Sequence, residues 1–559
     1  MIVGHYTDRY CHVHAGGYHA RANRQKPSIA MSAGSSHGPA HSDRLATDCG
    51  ATTIVLFMVD QLSAKWVDAC LAGAAPLPNL SRLQRRGTTF RQAISSNPVC
   101  SPARATIATG LATRGHGMLL NGYNLDPTIP TFMQALQTNG WRTGAFGKLH
   151  LRSQYESLWP DYRPYGFDVQ HVTEDARGGE WLEWVRMRHP DHFDAVLSTI
   201  WGRSFPGFIS HGPDGDDVMT RFRSIPELAG AYELPFPGEV SQTNWITEHA
   251  VRFIRSANPV QPLFAHVSYV QPHDPYTPPS GYLSRVATSR IPEPVAAEWA
   301  DDPLAPPLFT DGHGRADPSS DWKNERHHYF ADICHLDDQL GVIETALSDT
   351  GRLSNAVVIF LSDHGDLLHD HGLRFKGSMH YDACIRVPLV IAGVEGGSNR
   401  ECSDLVQLED ICPTIYDLAG IEVPQPPFFR TSRPGGTLSP DRTFDTFPGS
   451  SLVPLCQGDR TERWRDTAYI GSFNTNTTPH TPDRWARTVR TGNWRYTTYP
   501  QGGGEQLFDL LNDPHEQSNL THDPAHAGVR HDLRDRLLEL LILQDYPHSP
   551  RSRFAFGVP

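Results

Sequence analysis

From Thr52 onward, short runs of apolar residues alternate with stretches of helical periodicity. TTIVLFMV (Thr52–Val59) is continuously apolar and β-branched, which predicts a strand covered on both faces, and it stops abruptly at Asp60 and Gln61. The pattern repeats three times. RTGAF (Arg142–Phe146) leads into Gly147, Lys148 and His150, PLFAHVSYV (Pro262–Val270) into His273 and Asp274, and AVVIFL (Ala356–Leu361) into Asp363 and His364. Strands alternating with helices predict an α/β fold, a large, mostly parallel sheet sandwiched by helices. In open sheets of this kind ligands bind at the carboxyl ends of the strands, so four strands that each hand ionisable groups to that edge point to one site.

The remaining segments set the domain organisation. Residues 1–50 carry six histidines among Gly, Ser and Ala, with no apolar period able to pack a face, and are expected to be a flexible tail. Residues 51–464 are expected to form the main domain, the one that carries this site, in which an aromatic and Gly-rich stretch, about 155–242, reads as an insertion shaping access. The Pro-rich segments 292–318 and 424–440 read as surface loops. Residues 465–559 change to short alternating strands and a terminal amphipathic helix near Val529–Leu543, predicting a smaller C-terminal α+β subdomain with an antiparallel sheet.

Composition narrows the function classes. A formal charge of -13, with Lys and Arg spread along the chain, excludes a nucleic-acid surface. No window approaches the roughly 18 apolar residues of a membrane helix, and the start lacks a basic stretch followed by an apolar one, so the expected setting is cytoplasmic, away from any membrane. Nine cysteines, odd in number and without a CxxC pair, fit a reducing compartment rather than a zinc cluster.

The stretch NPVCSPARATIATG (Asn97–Gly110) carries the chemistry. Ser101 reads as a helix cap, Pro102 suits the first turn, and Gly110 stops the helix. Cys100 then sits at a helix mouth, where free N–H groups and the dipole favour an anion, either a thiolate or a bound oxyanion. Arg104, one turn on, adds a fixed positive charge. Asp60, Asp363 and His364, at two strand ends, suit a divalent cation.

CSPAR followed by ATIATG resembles the sulfatase signature, Cys-x-Pro-x-Arg, four residues, then Thr-Gly, and matches it at every fixed position. The resemblance implies an alkaline-phosphatase-like fold and a sulfatase that hydrolyses a sulfate ester to alcohol and sulfate. It implies that a formylglycine-generating enzyme converts Cys100 to Cα-formylglycine (3-oxoalanine), whose hydrate is the nucleophile. Asp60, Gln61, Cys100, Asp363 and His364 match the family's metal shell. Arg104, Lys148 and His150 in FGKLHL, His273 in QPHDPY, and Lys376 in GLRFKGSMHYD match its sulfate-binding and proton-transfer positions. In the implied sequence Asp363 helps deprotonate the hydrate, His273 protonates the leaving alcohol, and His150 helps expel sulfate. VQLEDICPTIYDLAG and VRTGNWRY extend the resemblance into the late helix and the C-terminal subdomain.

Many sulfatases carry Asp-Asp where this chain has Asp60-Gln61, and Asn where it has His364. The combination is more like choline sulfatases and phosphonate monoester hydrolases. Ca²⁺ is the expected ion, with Mn²⁺ or Mg²⁺ as alternatives, because an amide in place of a carboxylate lowers the negative charge of the site and so weakens Ca²⁺ binding and makes Mn²⁺ credible. The expected substrate is a small-molecule, aryl or carbohydrate sulfate ester. Two other functions remain open on the sequence: a phosphonate monoester or phosphodiester hydrolase with the same site, and a non-catalytic metal-binding protein with unmodified Cys100.

Overall fold

A computed structural model describes residues 52–153, 155–200, 230–301, 305, 316–317, 319–423, 449–459, 464–473, 485–500 and 502–543. The 1–50 tail and the 424–440 loop lie outside the described residues. Eight strands form the main sheet: β1 (Thr53–Val59), β2 (Gly87–Ile94), β3 (Arg142–Gly147), β4 (Val169–Val172), β5 (Leu263–Ser268), β6 (Ala356–Ser362), β7 (Arg386–Ala392) and β8 (Arg400–Gln407). Their order is β4-β3-β5-β1-β6-β7-β2-β8, and only β7 runs against the others.

The double cover expected of β1 is seen in its alternation. Val55, Phe57 and Val59 enter one core, with Trp245 and Ile246 of the Gln242–Ser256 helix and Tyr329 and Phe330 of the Trp322–Asp349 helix. Ile54, Leu56 and Met58 enter the other, with Ala103 and Ile107 of the Cys100–Thr109 helix and Ile411 and Ile415 of the Ile411–Leu418 helix. Successive strand residues face opposite ways, so an uninterrupted apolar run has somewhere to go only when both faces are covered. Each fully buried large side chain contributes about 1.5–3 kcal/mol.

The segment read as an insertion begins as part of the sheet, because β4 adds to the edge beside β3 in parallel register. It passed as a loop because its four residues, Val-Gln-His-Val, carry polar side chains on a half-covered edge. The sequence also gave no warning of β7, whose reversed direction lets the Lys376 loop, which precedes it, reach the carboxyl edge of its neighbours.

The smaller unit is the antiparallel sheet β9 (Thr467–Ser472), β10 (Ala486–Thr491), β11 (Trp494–Thr498) and β12 (Glu505–Asp509), in the order β12-β11-β10-β9. Tyr469, Val489, Tyr496 and Leu507 pack on Leu533 and Leu537 of the Ala527–Leu543 helix. Gly471 N–H donates to Ser96 O at 2.8 Å, and His380 lies between Thr488 and Ser472 hydroxyls, so this sheet fastens next to the strand β2 that leads to Cys100. Among the described residues no helix is long and apolar enough to cross a membrane.

One buried acid sets a pH limit on this framework. Burial pushes the Asp332 carboxyl up to about 8, against the pull of the Thr277 N–H, 2.9 Å away, and of Arg177. A carboxyl that holds its proton more tightly folded than unfolded stabilises the fold fully below the unfolded value, and this contribution drains away as pH rises towards 8. Asp332→Asn keeps an acceptor for Thr277 and removes the titration. Between pH 6 and 8 the native chain is expected to lose about 2 kcal/mol more than this variant, at roughly 1.4 kcal/mol per unit well below pH 8 and half that at pH 8. Urea midpoints at the two pH values measure it, and equal losses would contradict it.

Candidate active site

Every sequence-predicted site residue gathers at the carboxyl edge of the main sheet. Asp60 follows β1, the Cys100–Thr109 helix follows β2, Lys148 and His150 follow β3, His273 follows β5, Asp363 and His364 follow β6, and Lys376 precedes β7. All are buried.

The helix differs from its expected start. It begins at Cys100, its cap is Val99 without a side-chain hydrogen bond, and Ser101 lies inside the first turn. Asn121 Oδ1 takes the Ser101 N–H instead, at 3.0 Å. An acceptor from a later loop does the capping, which no local pattern announces. Gly110 ends the helix as expected, in the left-handed region at φ 70°. A second glycine is required at position 147, where φ is 89° and a Cβ would lie 1.9 Å from Ser268 O. This close approach of β3 to β5 delivers Lys148 into the site. Gln61 and His150 hold positive φ without being glycine, 63° and 53°, a strained backbone of the kind that concentrates at functional sites.

Four atoms converge at the helix mouth. Cys100 Sγ is 3.2 Å from His364 Nε2 and 3.7 Å from Asp60 Oδ1, and His364 Nε2 is 3.6 Å from Asp60 Oδ1 and 3.8 Å from Asp363 Oδ1. Cations grip these carboxylates from behind. Arg104 donates from Nε to Asp363 Oδ2 at 2.7 Å and from Nη2 to Asp60 Oδ2 at 3.3 Å, while Lys148 Nζ also reaches Asp60 Oδ2. The cations thus hold the outer oxygens, Oδ2, and turn each Oδ1 inward. His364 Nδ1 donates to Gly365 O at 3.0 Å, leaving the Nε2 lone pair for the centre. Two carboxylates, an imidazole and the residue-100 side chain fit a divalent ion. Gln61, expected as a fifth ligand, turns its amide elsewhere: Oε1 receives Lys376 Nζ, and Nε2 donates to Asp366 at 2.6 Å.

Charge at the site is balanced by proximity. Burial alone would raise the Asp60 carboxyl, but Lys148, Arg104, His273 and Lys376 hold it well below its ordinary value. Burial would discharge Lys148, yet Asp175 and Asp60 keep it firmly protonated. His150 is the reverse case, lowered to about 3 by burial and by the Lys148 ammonium. It is a neutral imidazole whose two ring nitrogens make no hydrogen bond. His273 is discouraged from protonation by burial and Lys376, but Asp274, a hydrogen bond to Cys100, and Asp175 outweigh them and raise it above its ordinary value. Its Nδ1 donates to Asp274 O at 2.7 Å. The two histidines are thus shifted in opposite directions within one pocket.

Sequence reasoning missed Asp175 and Glu174. Asp175 pairs with Lys148, lies 3.8 Å from His150 Nδ1, and shares a cluster with Cys100 and His273. Glu174 accepts from His150 N at 3.1 Å and Tyr162 Oη at 2.6 Å, fixing the strained turn. The signal was present, since both follow β4 as the other site residues follow their strands. Asp175→Asn leaves Lys148 tethered to Asp60 alone. The expected result is a loss of about 10–100-fold in kcat/KM for an aryl sulfate, from a misplaced cation, with a folded chain by circular dichroism.

A cluster of buried ionisable groups at the carboxyl edge of a mostly parallel sheet, with a small antiparallel sheet fastened beside it, is the plan of the alkaline-phosphatase-like hydrolases. Within that class the chain belongs to the sulfatase family: the family model described as Sulfatase matches residues 52–421. A second model, described as N-sulphoglucosamine sulphohydrolase, C-terminal, matches residues 441–542. The chain is 27% identical over 527 residues to an arylsulfatase of Clostridium perfringens (strain 13 / Type A), covering 90% of this chain and 98% of that one. It is 28% identical over 493 residues to a choline-sulfatase of Rhizobium meliloti (strain 1021), covering 85% and 83%. Its fold is similar to the crystal structure of the phosphonate monoester hydrolase of Agrobacterium radiobacter, with a TM-score of 0.70 and 24% identity over 88% of this chain and 96% of that one.

Proposed function

We propose that this sulfatase family member hydrolyses a small-molecule, aryl or carbohydrate sulfate ester through a Cα-formylglycine made from Cys100, with one divalent ion, Ca²⁺ or Mn²⁺, between Asp60, Asp363 and His364. The observation that carries it is the placing of residue 100 at a helix mouth, beside that ligand set, three cations and two histidines whose pKa values are shifted in opposite directions. The hydrate supplies a nucleophilic hydroxyl, and the bound ion lowers the cost of its deprotonation.

The chain's own groups do the rest. Arg104, Lys148 and Lys376 surround the pocket with fixed positive charge where the peripheral oxygens of a transferring SO₃ group build negative charge. His273, raised in pKa, holds a proton for the departing alcohol oxygen. His150, kept neutral, has a ring nitrogen open to accept a hydrogen bond from the second hydroxyl as sulfate leaves, although its low pKa makes it a weak base. Asp363 is a poor candidate for the base: Oδ2 is held by Arg104, and Oδ1 accepts N–H groups of Gln61 and His364 at 3.1 and 3.0 Å. It serves as a ligand. Maturation requires a formylglycine-generating enzyme as partner. The seven described cysteines are free and buried, which supports a reducing, cytoplasmic setting.

A phosphonate monoester hydrolase is the second reading, favoured by the Asp60-Gln61 and Asp363-His364 pairs and by the likeness in fold. Rates on an aryl sulfate and on a phenylphosphonate monoester, measured side by side, separate the two. Higher kcat/KM on the sulfate is expected, and a strong preference for the phosphonate would overturn the sulfatase reading.

A further inference from the structure

We propose that the unconverted chain, with cysteine at position 100, carries a zinc-selective site, and that conversion of this one side chain switches the pocket from a zinc site to a hard-cation site. The ligand atoms are Cys100 Sγ, His364 Nε2, Asp60 Oδ1 and Asp363 Oδ1, all within 4.8 Å of one another. Zinc bonds of about 2.3 Å to sulfur and about 2.0–2.1 Å to nitrogen and oxygen give tetrahedral edges of about 3.3–3.6 Å. The distances found are 3.2 Å from sulfur to nitrogen, 3.7 Å from sulfur to oxygen, and 3.6 and 3.8 Å from nitrogen to the two oxygens. Edges of this size also suit neighbouring positions of an octahedron, so the donor type decides.

A thiolate and an imidazole among four donors select Zn²⁺ over Ca²⁺ and Mg²⁺, which ask for six or more oxygens or for an octahedron of oxygens. The surroundings favour the soft site further. Both carboxylates give their outer oxygens to Arg104 and Lys148 and turn one oxygen each towards the centre, which permits monodentate ligation, with Asp363 Oδ1 also accepting the Gln61 and His364 N–H groups. Lys376 Nζ donates to Sγ at 3.2 Å, placing a positive charge beside the sulfur. Replacing sulfur and its proton by the oxygen of a formylglycine hydrate leaves three oxygens and one imidazole. Coordination is then completed by further oxygens, and the preference passes to Ca²⁺ or Mn²⁺.

The switch rests on the proposed maturation of Cys100, whereas the zinc affinity of the cysteine chain stands apart from it. The full chain, produced without a formylglycine-generating enzyme, and its Cys100→Ser variant are titrated with Zn²⁺ and Ca²⁺ by calorimetry, and with Co²⁺ by absorption. The cysteine chain is expected to bind Zn²⁺ at least about 100-fold more tightly than the serine variant, more than the 10–100-fold that loss of an outer-shell partner typically costs. Co²⁺ in the cysteine chain is expected to show a sulfur-to-metal charge-transfer band in the near ultraviolet, absent in the variant. Equal Zn²⁺ affinities, or bound Co²⁺ without that band, would overturn the proposal. Since the Co²⁺ spectrum is read on the cysteine chain itself, poor folding of the variant leaves the test intact. None of these measurements requires turnover, so failure of the sulfatase reading would register separately.

Discussion

Cys100→Ala is expected to lower kcat on an aryl sulfate by about 10⁴–10⁶-fold, the loss seen when the nucleophile of a preorganised site is removed. The Cys100 side chain is fully buried at the mouth of its helix and touches His364, Asp60 and Lys376. Alanine suits the helix and removes little volume, so the secondary structure by circular dichroism should be unchanged. Residual catalysis would come from the three cations and the bound ion, which polarise the ester without attacking it. A rate within tenfold of the native enzyme would mean that another group, or water, is the nucleophile.

His273→Ala is the second large effect, and its size should depend on the substrate. Asp274, Cys100 and Asp175 raise His273 above its ordinary value in spite of its burial, an arrangement suited to a general acid. An alcohol with a high pKa cannot leave without a proton, while a nitrophenol can. The variant is therefore expected to lose about 10²–10⁴-fold in kcat on an alkyl sulfate. On nitrophenyl sulfate the loss should be much smaller. Equal losses on both substrates would place His273 in binding rather than in proton transfer.

The central strands were legible because they are buried on both faces, and burial on both faces writes itself as an uninterrupted apolar run, as in β1 and β6. Their carboxyl ends exposed the site for the same reason, since Asp60, Asp363 and His364 break those runs abruptly. β4 was not legible, because an edge strand of four residues is only half covered and reads as a loop. Asp175 was lost with it. The Asn121 cap on the Cys100 helix and the turning of Gln61 towards Lys376 and Asp366 are tertiary contacts, made by residues 20 and about 300 positions away, and leave no periodic trace. The reactive form of residue 100 came from the CSPAR resemblance and from no local physical pattern.

The most direct test of the central claim is the mass of the peptide containing Cys100, taken from active enzyme made in its native host, together with its arylsulfatase activity. Conversion replaces sulfur and two hydrogens by one oxygen. The account predicts a peptide lighter by that difference, in a fraction that rises and falls with specific activity. A peptide carrying only unmodified cysteine in an enzyme that turns over aryl sulfate would contradict the formylglycine mechanism, and the same peptide with no activity would contradict the enzyme itself.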